Sequence, residues 1–108
     1  MSKGLPDPAA IGEAARGRLD ELIHLPVRLS IVAALAATEE AEFQAVRDAV
    51  QISDSALSKQ VATLESAGYV TVRKGYVGKR PRTWLSLSPA GRQALHDHLA
   101  ALRGIAGS

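Results

Sequence analysis

Cysteine is absent from the 108 residues of this sequence, so the chain can form neither a disulfide nor a thiolate metal site. A long apolar run is absent too, and we therefore expect neither a signal peptide nor a membrane span. Both absences are typical of a cytoplasmic protein, which is the location we expect. The length allows one domain with a single modest core and is too short for two.

Acidic residues are scarce in the second half of the chain. Residues 1–50 hold five Lys or Arg and eight Asp or Glu, whereas residues 51–108 hold eight and three. The formal net charge of +2 hides this asymmetry. Such a distribution is expected when one end of a protein faces a polyanion.

Residues 52–68 are predicted to form a helix with one apolar side. Its apolar residues recur at i, i+4 and i+7, and they are Leu57, Val61 and Leu64. Ser53 or Asp54 can cap the first turn by accepting backbone N–H groups. Gly68 stands where a helix ends, because glycine enters the left-handed region without strain. Both ends of the helix are therefore marked.

The opposite face of this helix is small, polar and almost free of acid. Its residues are Ser55, Lys59, Ala62 and Ser66, flanked by Ser58 and Thr63. Such a face is slim enough to enter a DNA major groove, and it carries groups that can hydrogen-bond to bases or phosphates. An ordinary solvated helix face is the alternative interpretation of this stretch taken alone.

Three helices and a short strand are predicted before it. Asp7 and Pro8 resemble an N-cap and a first helical residue, and the apolar stripe that follows is Ile11, Ala15, Leu19 and Leu22. Residues 26–37 form a helix that is apolar nearly all round, so we expect it to be buried on two sides. A short strand over residues 40–43, a short helix over 44–50 and a turn at 51–53 lead into the polar-faced helix. Helix, tight turn, helix is the arrangement in which the second helix reads DNA.

Beyond Gly68 the apolar period changes from 3.6 to 2, which predicts two antiparallel, half-buried strands. The alternating inward residues are Val70, Val72, Thr83, Leu85 and Leu87. We expect residues 74–82 to connect the strands, with Gly75 and Gly78 in turn conformations and Pro81 at the margin. Trp84 is expected to pack over the strand pair.

Every charged residue of this hairpin from residue 69 to residue 82 is basic. These residues are Arg73, Lys74, Lys79, Arg80 and Arg82. A cationic hairpin beside a candidate recognition helix is typical of a DNA-binding wing, which can enter the minor groove or neutralise phosphates. An edge hairpin kept soluble by basic residues is the alternative.

A last helix is predicted after Ser88, which caps it, and Pro89, which opens it. Its apolar stripe is Ala94, Leu95, His98, Leu99 and Leu102, which Ile105 can extend. His96 and His98 point about 200° apart on a helix and cannot share one metal ion. Residues 75–79 are too short for a phosphate-binding loop, and no serine lies in a motif with a paired base. We therefore expect no metal, no cofactor and no enzyme.

Three stretches together resemble a known family. They read SDSALSKQVATLESAGYV at residues 53–70, GYVGKRPRT at residues 75–83 and LSPAGR at residues 87–92. In order and spacing they resemble winged helix-turn-helix transcriptional regulators of the broad MarR/ArsR-like group, over roughly residues 26–102. The metal-sensing branch of that group relies on Cys-rich sites, which this chain lacks. Its ligand-responsive branch is usually longer, and the sequence identifies no effector.

The resemblance implies which residues face DNA. On the recognition helix they are Ser53, Ser55, Ser58, Lys59, Gln60 and Thr63. In the wing it implies Lys79, Arg80 and Arg82, to which we add Arg73 and Lys74 because they are basic and lie in the same hairpin. The resemblance also implies homodimerisation through the terminal helices, and the apolar residues expected there are Ile11, Leu19, Leu22, Leu95, Leu99 and Leu102.

The sequence thus predicts an α+β, mostly helical fold: a winged helix-turn-helix with extra N- and C-terminal helices. Residues 26–88 would form the DNA-binding core, and residues 1–25 and 89–108 would dimerise. The expected function is sequence-specific binding of double-stranded DNA as a homodimeric transcriptional regulator, a repressor. The alternative is a winged-helix adaptor that binds proteins and not DNA; it would not need a basic wing beside a low-acid helix, so the charge placement favours DNA.

Overall fold

The computed structural model of this chain describes residues 26–106. Along the chain its elements are α1 (Pro26–Ala36), β1 (Ala41–Glu42), α2 (Phe43–Val50), α3 (Asp54–Ser66), β2 (Val70–Val77), β3 (Arg80–Leu87) and α4 (Pro89–Ala106). The predicted α+β, mostly helical class is confirmed, as are the short strand and the helix-turn-helix. The predicted N-terminal helix, with Ile11, Leu19 and Leu22, lies outside the described residues.

The core lies between α1, the apolar side of α3 and the inner face of the sheet. Its buried residues are Ile31, Val32, Leu35, Val46, Leu57, Val61, Leu64, Val70, Leu85, Leu87 and Leu95. Ile31 and Val32 are adjacent on α1 and both fully buried. Since neighbouring helical residues point about 100° apart, α1 is covered on two sides, as its sequence predicts.

A three-residue turn joins α2 to α3. Gln51 takes the left-handed conformation, with a φ of 62° and a ψ of 52°, and its N–H donates to the carbonyl of Arg47. Ser53 is the N-cap of α3, because its side-chain oxygen accepts from the N–H of Ala56 at 3.1 Å. Of the two caps that the sequence left open, Ser53 is the one that forms. Gly68, with a φ of 82°, follows the end of α3 as predicted.

The three strands form an antiparallel sheet in the order β1-β3-β2. The hairpin of β2 and β3 is longer than the apolar alternation indicates, since pairing runs from Val70 with Leu87 out to Val77 with Arg80. The loop is only Gly78 and Lys79. Gly78 has a φ of 63° while Lys79 has no positive φ, which is the pattern of a type II′ hairpin turn.

Gly75 was expected in a turn, and that expectation is wrong: it lies within β2, opposite Arg82. A Cβ at Gly75 would come within 3.2 Å of the ring carbon Cζ3 of Trp84. The glycine therefore makes room for the Trp84 ring on the outer face of the sheet, where that ring packs as expected. The alternation of apolar residues that predicts a strand is missing here, because both faces of the outer part of the hairpin are polar or exposed.

Ser88 caps α4 as predicted, since its hydroxyl accepts from the N–H of Gly91 at 3.0 Å and donates to the carbonyl of Gly68. The predicted apolar stripe of α4 does not stay on one surface. Leu95 packs in the core of the chain and His98 is fully buried, whereas Leu99 is 40% exposed. Within residues 26–106 no helix is both long and apolar enough to cross a membrane.

Candidate DNA-binding site

The side of α3 that points away from the core is exposed. Its exposed small and basic residues are Ser55, Ser58, Lys59, Ala62 and Ser66. Lys59 lies two positions from both buried Leu57 and buried Val61, so the helix period places it outward, and Ser58, next to Leu57, is exposed on the adjoining side. The structure thus brings three predicted contacts, Ser55, Ser58 and Lys59, onto one accessible surface.

Two carboxylates flank that surface, Asp54 in the first turn of α3 and Glu65 in the last. Arg47 of α2 donates from Nη1 to Asp54 at 2.7 Å and also contacts Asp48 at 3.1 Å. The hydrogen bonds that Arg47 donates, to Asp54 first and then to Asp48, raise the pKa of Arg47. Arg47 therefore offsets only part of the negative charge near the start of the exposed surface, because it is shared between Asp54 and Asp48.

Gln60 and Thr63 occupy a different position from the exposed serines. The side-chain oxygen of Gln60 accepts from Nε of Arg28 on α1 at 2.7 Å, and Gln60 is half-buried. The Thr63 hydroxyl donates to the carbonyl of Lys59 at 3.2 Å. Both residues therefore lie on the flanks of α3, and Ser53 uses its hydroxyl oxygen as the cap.

The wing carries its charge at its far end. Lys79 is exposed in the two-residue loop and Arg80 one position beyond it, and Lys74 is exposed on β2, four residues before the loop begins at Gly78. Within the part of the chain that the structure describes, none of these three makes an ion pair. Three of the five predicted wing cations are thus available to an outside partner.

The other two predicted wing cations are held against the body of the domain. Arg73 forms a two-pronged hydrogen bond with Glu40, from Nε to Oε2 at 2.9 Å and from Nη2 to Oε1 at 2.7 Å. Its guanidinium carbon also lies 4.1 Å from the centroid of the Trp84 ring, a cation-π contact. The hydrogen bond with Arg73 lowers the pKa of Glu40 and raises that of Arg73. Nε of Arg82 lies 3.9 Å from Oε1 of Glu42.

A cleft of about 400 Å³ separates α3 from the wing. Ser58 and Ala62 line it from the helix side together with the acidic Asp54 and Glu65, and Lys74 and Thr83 line it from the hairpin. Val61, Val72 and Leu85 form its apolar floor. One side of α3 and one face of the wing therefore border the same opening.

Arg28, Glu40 and Arg47 are the residues of this site that sequence reasoning missed. Each is defined by a partner on another element, and no local periodicity marks such a partner. Arg47 is the one with a possible signal, since it lies seven residues before Asp54 across a predicted three-residue turn. Within residues 26–106, no three His, Asp or Glu side chains are grouped so that they could hold a metal ion.

A helix-turn-helix whose second helix exposes a small polar surface, next to a basic two-stranded hairpin, defines a DNA-binding protein of the winged helix class. The comparison with protein families agrees. The chain belongs to the winged helix DNA-binding domain family, whose model matches residues 27–106.

Solved structures share this fold. A transcriptional regulator homologue from Pyrococcus horikoshii superposes with a TM-score of 0.78 at 22% identity, covering 88% of this chain and 92% of that one. A MarR family transcriptional regulator from Silicibacter pomeroyi gives 0.65 at 18% identity, covering 93% and 64%. A transcriptional regulator from Mycobacterium tuberculosis in complex with DNA gives 0.67 at 17% identity, covering 92% and 71%. The fold is that of winged helix-turn-helix regulators of the MarR group.

A curated sequence relative has a name that states no function. An uncharacterized protein of Methanocaldococcus jannaschii is 27% identical over 73 residues, which is 68% of this chain and 79% of that protein.

Proposed function

We propose that this protein is a transcriptional repressor that binds a specific operator in duplex DNA as a homodimer. The observation that carries the proposal is the joint orientation of α3 and the wing. Exposed Ser58 lines one side of the cleft, next to exposed Ser55 and Lys59 on the outer surface of α3, and exposed Lys74 lines the other side. A duplex seated across this opening would meet hydrogen-bonding groups from the helix and positive charge from the wing together.

The two elements have different roles in this proposal. Ser55, Ser58 and Lys59 enter the major groove, where each base pair presents a distinct pattern of donors and acceptors. Ser53 and Thr63 flank them and help to position the phosphate backbone of the DNA. Lys74, Lys79 and Arg80 meet phosphates or the minor groove, where sequence information is degenerate. Gln60, Arg73 and Arg82 hold α3 and the wing in place, because their side chains already have partners on other elements.

Dimerisation completes the proposed mechanism. Residues 26–88 bind DNA, and residues 1–25 and 89–108 pair with those of a second copy. A twofold dimer would set two copies of α3 about 34 Å apart, one turn of DNA, and so double the length of sequence that is read. Repression follows where such an operator overlaps a promoter. The cytoplasm is the expected compartment because the proposed partner is chromosomal DNA, and no catalytic step is needed.

Binding to duplex DNA tests the proposal directly. A pool of random duplexes is selected on the purified protein, and Kd is then measured on the selected and a scrambled duplex at several salt concentrations. We expect the logarithm of the association constant to fall with the logarithm of salt concentration, with a slope of about 0.9 per phosphate contacted. Arg80→Ala should flatten that slope by about 0.9 and weaken both duplexes alike.

Arg103→Ala is the matched control for Arg80→Ala. It removes the same charge from an exposed position near the end of α4, so it should leave the slope unchanged. A folded protein that binds no duplex at low salt would overturn the proposal and favour the protein-interaction adaptor. Loss of binding in Arg103→Ala equal to that in Arg80→Ala, with the oligomeric state of Arg103→Ala unchanged in sedimentation, would remove the wing from the interface.

A further inference from the structure

The end of the wing carries apolar surface as well as charge. Tyr76 is 71% exposed and Val77 is 53% exposed, which makes them the two most exposed large hydrophobic residues that the structure describes in residues 26–106. Isolated exposed apolar residues are common on soluble proteins. Two in succession at the end of a narrow hairpin, between Lys74 and Lys79, form a distinct surface.

The register of the hairpin separates these two side chains. In an antiparallel pair, directly opposite residues share a face and successive residues alternate. Tyr76 lies opposite Pro81, and Lys74 lies opposite Thr83, so these four residues share one face. Lys74 and Thr83 line the cleft beside α3. Tyr76 is therefore on the cleft side of the wing, about 7 Å farther from the core than Lys74.

Val77 is on the other face. It pairs with Arg80, and its face is shared by Gly75, Arg82 and the Trp84 ring. An object bound across the cleft would meet Tyr76 and Pro81 and would not meet the side chain of Val77. The wing thus provides an apolar contact on one face and a matched apolar control on the other.

Charge decides which partner fits this surface. Lys74 shares the face of Tyr76, Lys79 lies in the adjoining loop and Arg80 lies at the hairpin end on the other face, beside Val77. None of the three is paired with an acid among the described residues. The partner must therefore be a polyanion that also offers apolar surface. The minor groove of duplex DNA meets both conditions, because its walls are deoxyribose rings between two rows of phosphates. Apolar side chains placed there contact sugars and can open a base step.

We propose that Tyr76, backed by Pro81, contacts the deoxyribose wall of the minor groove and supplies a salt-independent part of the affinity for duplex DNA. This inference rests on the proposed function, and it adds a residue that works by a different force. Arg80 and the lysines act through charge and lose strength as salt rises. The aromatic ring acts by removing apolar surface from water, which salt does not screen.

Salt titration of four proteins tests this role: the unsubstituted chain, Tyr76→Ala, Tyr76→Phe and Val77→Ala. Tyr76→Ala should lose about tenfold in affinity at every salt concentration, the amount expected for a partly covered ring, with an unchanged salt slope. Tyr76→Phe should stay within about twofold of the original, because it keeps the ring. Val77→Ala should also stay within about twofold, since its side chain faces away.

Hydroxyl-radical cleavage of the bound duplex gives a second readout, because it reports the accessibility of individual sugars. Protection of minor-groove sugars beside the α3 site should be lost in Tyr76→Ala and kept in Val77→Ala. Because the Tyr76 side chain is exposed, we expect its truncation to leave the fold intact. An unchanged thermal midpoint and circular dichroism spectrum would verify this.

Several results would overturn the inference while leaving the proposed function standing. One is a Tyr76→Ala protein that binds duplex within twofold of the original. Another is an equal loss in Tyr76→Ala and Val77→Ala. A third is a Tyr76→Ala protein that keeps its DNA affinity but no longer binds vesicles of phosphatidylserine and phosphatidylcholine, which would assign the tip to an anionic lipid surface. Failure of the unsubstituted protein to bind any duplex would instead reject both proposals.

Discussion

Arg28 and Gln60 are 32 positions apart in the sequence, and Nε of Arg28 donates to the side-chain oxygen of Gln60 at 2.7 Å. This bond joins α1 to the middle of α3. It gives Gln60 an internal partner on the side of the helix that meets the body of the domain. The resemblance makes Gln60 a DNA-facing residue, and we propose instead that its bond with Arg28 fixes how α3 is presented.

Gln60→Ala should therefore weaken operator and scrambled duplexes by the same factor, without changing which bases are preferred. It should also lower the free energy of unfolding by about 1 to 2 kcal/mol, because a half-buried hydrogen bond to a charged group is lost. Gln60→Glu keeps an acceptor for Arg28 and should recover most of that stability. The measurements are denaturant unfolding and selection from a random duplex pool.

Ser58→Ala is the comparison for this prediction, since Ser58 is exposed on the cleft side of α3. It should change base preference at one position, with a penalty on the order of 1 kcal/mol, and leave stability nearly unchanged. A selected consensus that shifts in Gln60→Ala and not in Ser58→Ala would reverse the two assignments.

A second prediction concerns the contact of Glu40 with Arg73, which ties β2 to the segment before β1. Arg73 holds the pKa of Glu40 below its ordinary value near 4.5, chiefly through their hydrogen bond. A carboxyl with a lowered pKa in the folded state adds stability at pH values above its unfolded pKa, and that stability is lost as the pH falls through the folded pKa. Wild type and Glu40→Gln should therefore differ in thermal midpoint at pH 7 and converge as the pH falls below about 4.

Glu39→Gln is the control for this experiment, because it removes the same charge from the neighbouring exposed position. Its midpoint should stay close to that of the wild type over the whole pH range. A gap between wild type and Glu40→Gln that is as wide at pH 3 as at pH 7 would show that the ionised contact does not stabilise the fold.

The parts of the fold that the sequence predicted are those with local signals. Leu57, Val61 and Leu64 repeat at the helical period, and Ser53 and Ser88 occupy cap positions beside their helices. The exposed face of α3 follows from the same period. Each of these features depends only on residues within one or two helical turns, so it can be predicted from the sequence without knowledge of the tertiary structure.

The parts that the sequence missed depend on distant partners. In the sequence Arg73 resembles the other wing cations, because its partner Glu40 lies 33 positions earlier and is brought close only by folding. Leu95 and Leu99 looked like one stripe, and tertiary packing places the first in the core and leaves the second exposed. In the sequence Gly75 resembles a turn residue. A side chain is disfavoured there because of the Trp84 ring, which lies on the opposite strand of the hairpin.

A third prediction compares the effect on stability of replacing two glycines, Gly91 and Gly68, by alanine. A Cβ on Gly91 would clash with the carbonyl oxygen of Tyr69, so the first turn of α4 would have to move away from the residue that precedes β2. Helix propensity alone predicts that Gly91→Ala stabilises by roughly 0.5 to 1 kcal/mol. The close contact reverses the sign, and we expect a loss of about 2 to 4 kcal/mol.

Gly68→Ala is the matched comparison, because a Cβ there meets nothing within 4 Å and only the φ of 82° is unfavourable. We expect it to cost about 1 to 2 kcal/mol. Denaturant unfolding of both variants measures the difference. A Gly91→Ala protein as stable as the original would mean that α4 can shift freely on the sheet.

The last prediction concerns the dimer and follows from the exposure of Leu99. Leu95 and His98 turn into the chain, whereas Leu99 is 40% exposed and Leu102 is half-buried. If α4 pairs with a second copy through the side that carries Leu99, then Leu99→Asp places a carboxylate in an apolar seam, where an unpaired charge is strongly disfavoured. It should give a folded monomer with much weaker operator binding. Leu95→Asp, which places the same charge in the core, should instead unfold the domain.

Sedimentation velocity at tens of micromolar, with circular dichroism on the same samples, separates these outcomes. A dimeric wild type with a folded, monomeric Leu99→Asp would support an interface through this side of α4. The operator should then show two half-sites about one DNA turn apart, since a twofold axis relates the two recognition helices. A monomeric wild type would reject the dimer, and a dimeric Leu99→Asp would move the interface away from Leu99. Either result would require single half-sites or a different spacing in the selected DNA, so the sequence of the operator checks the oligomeric state independently.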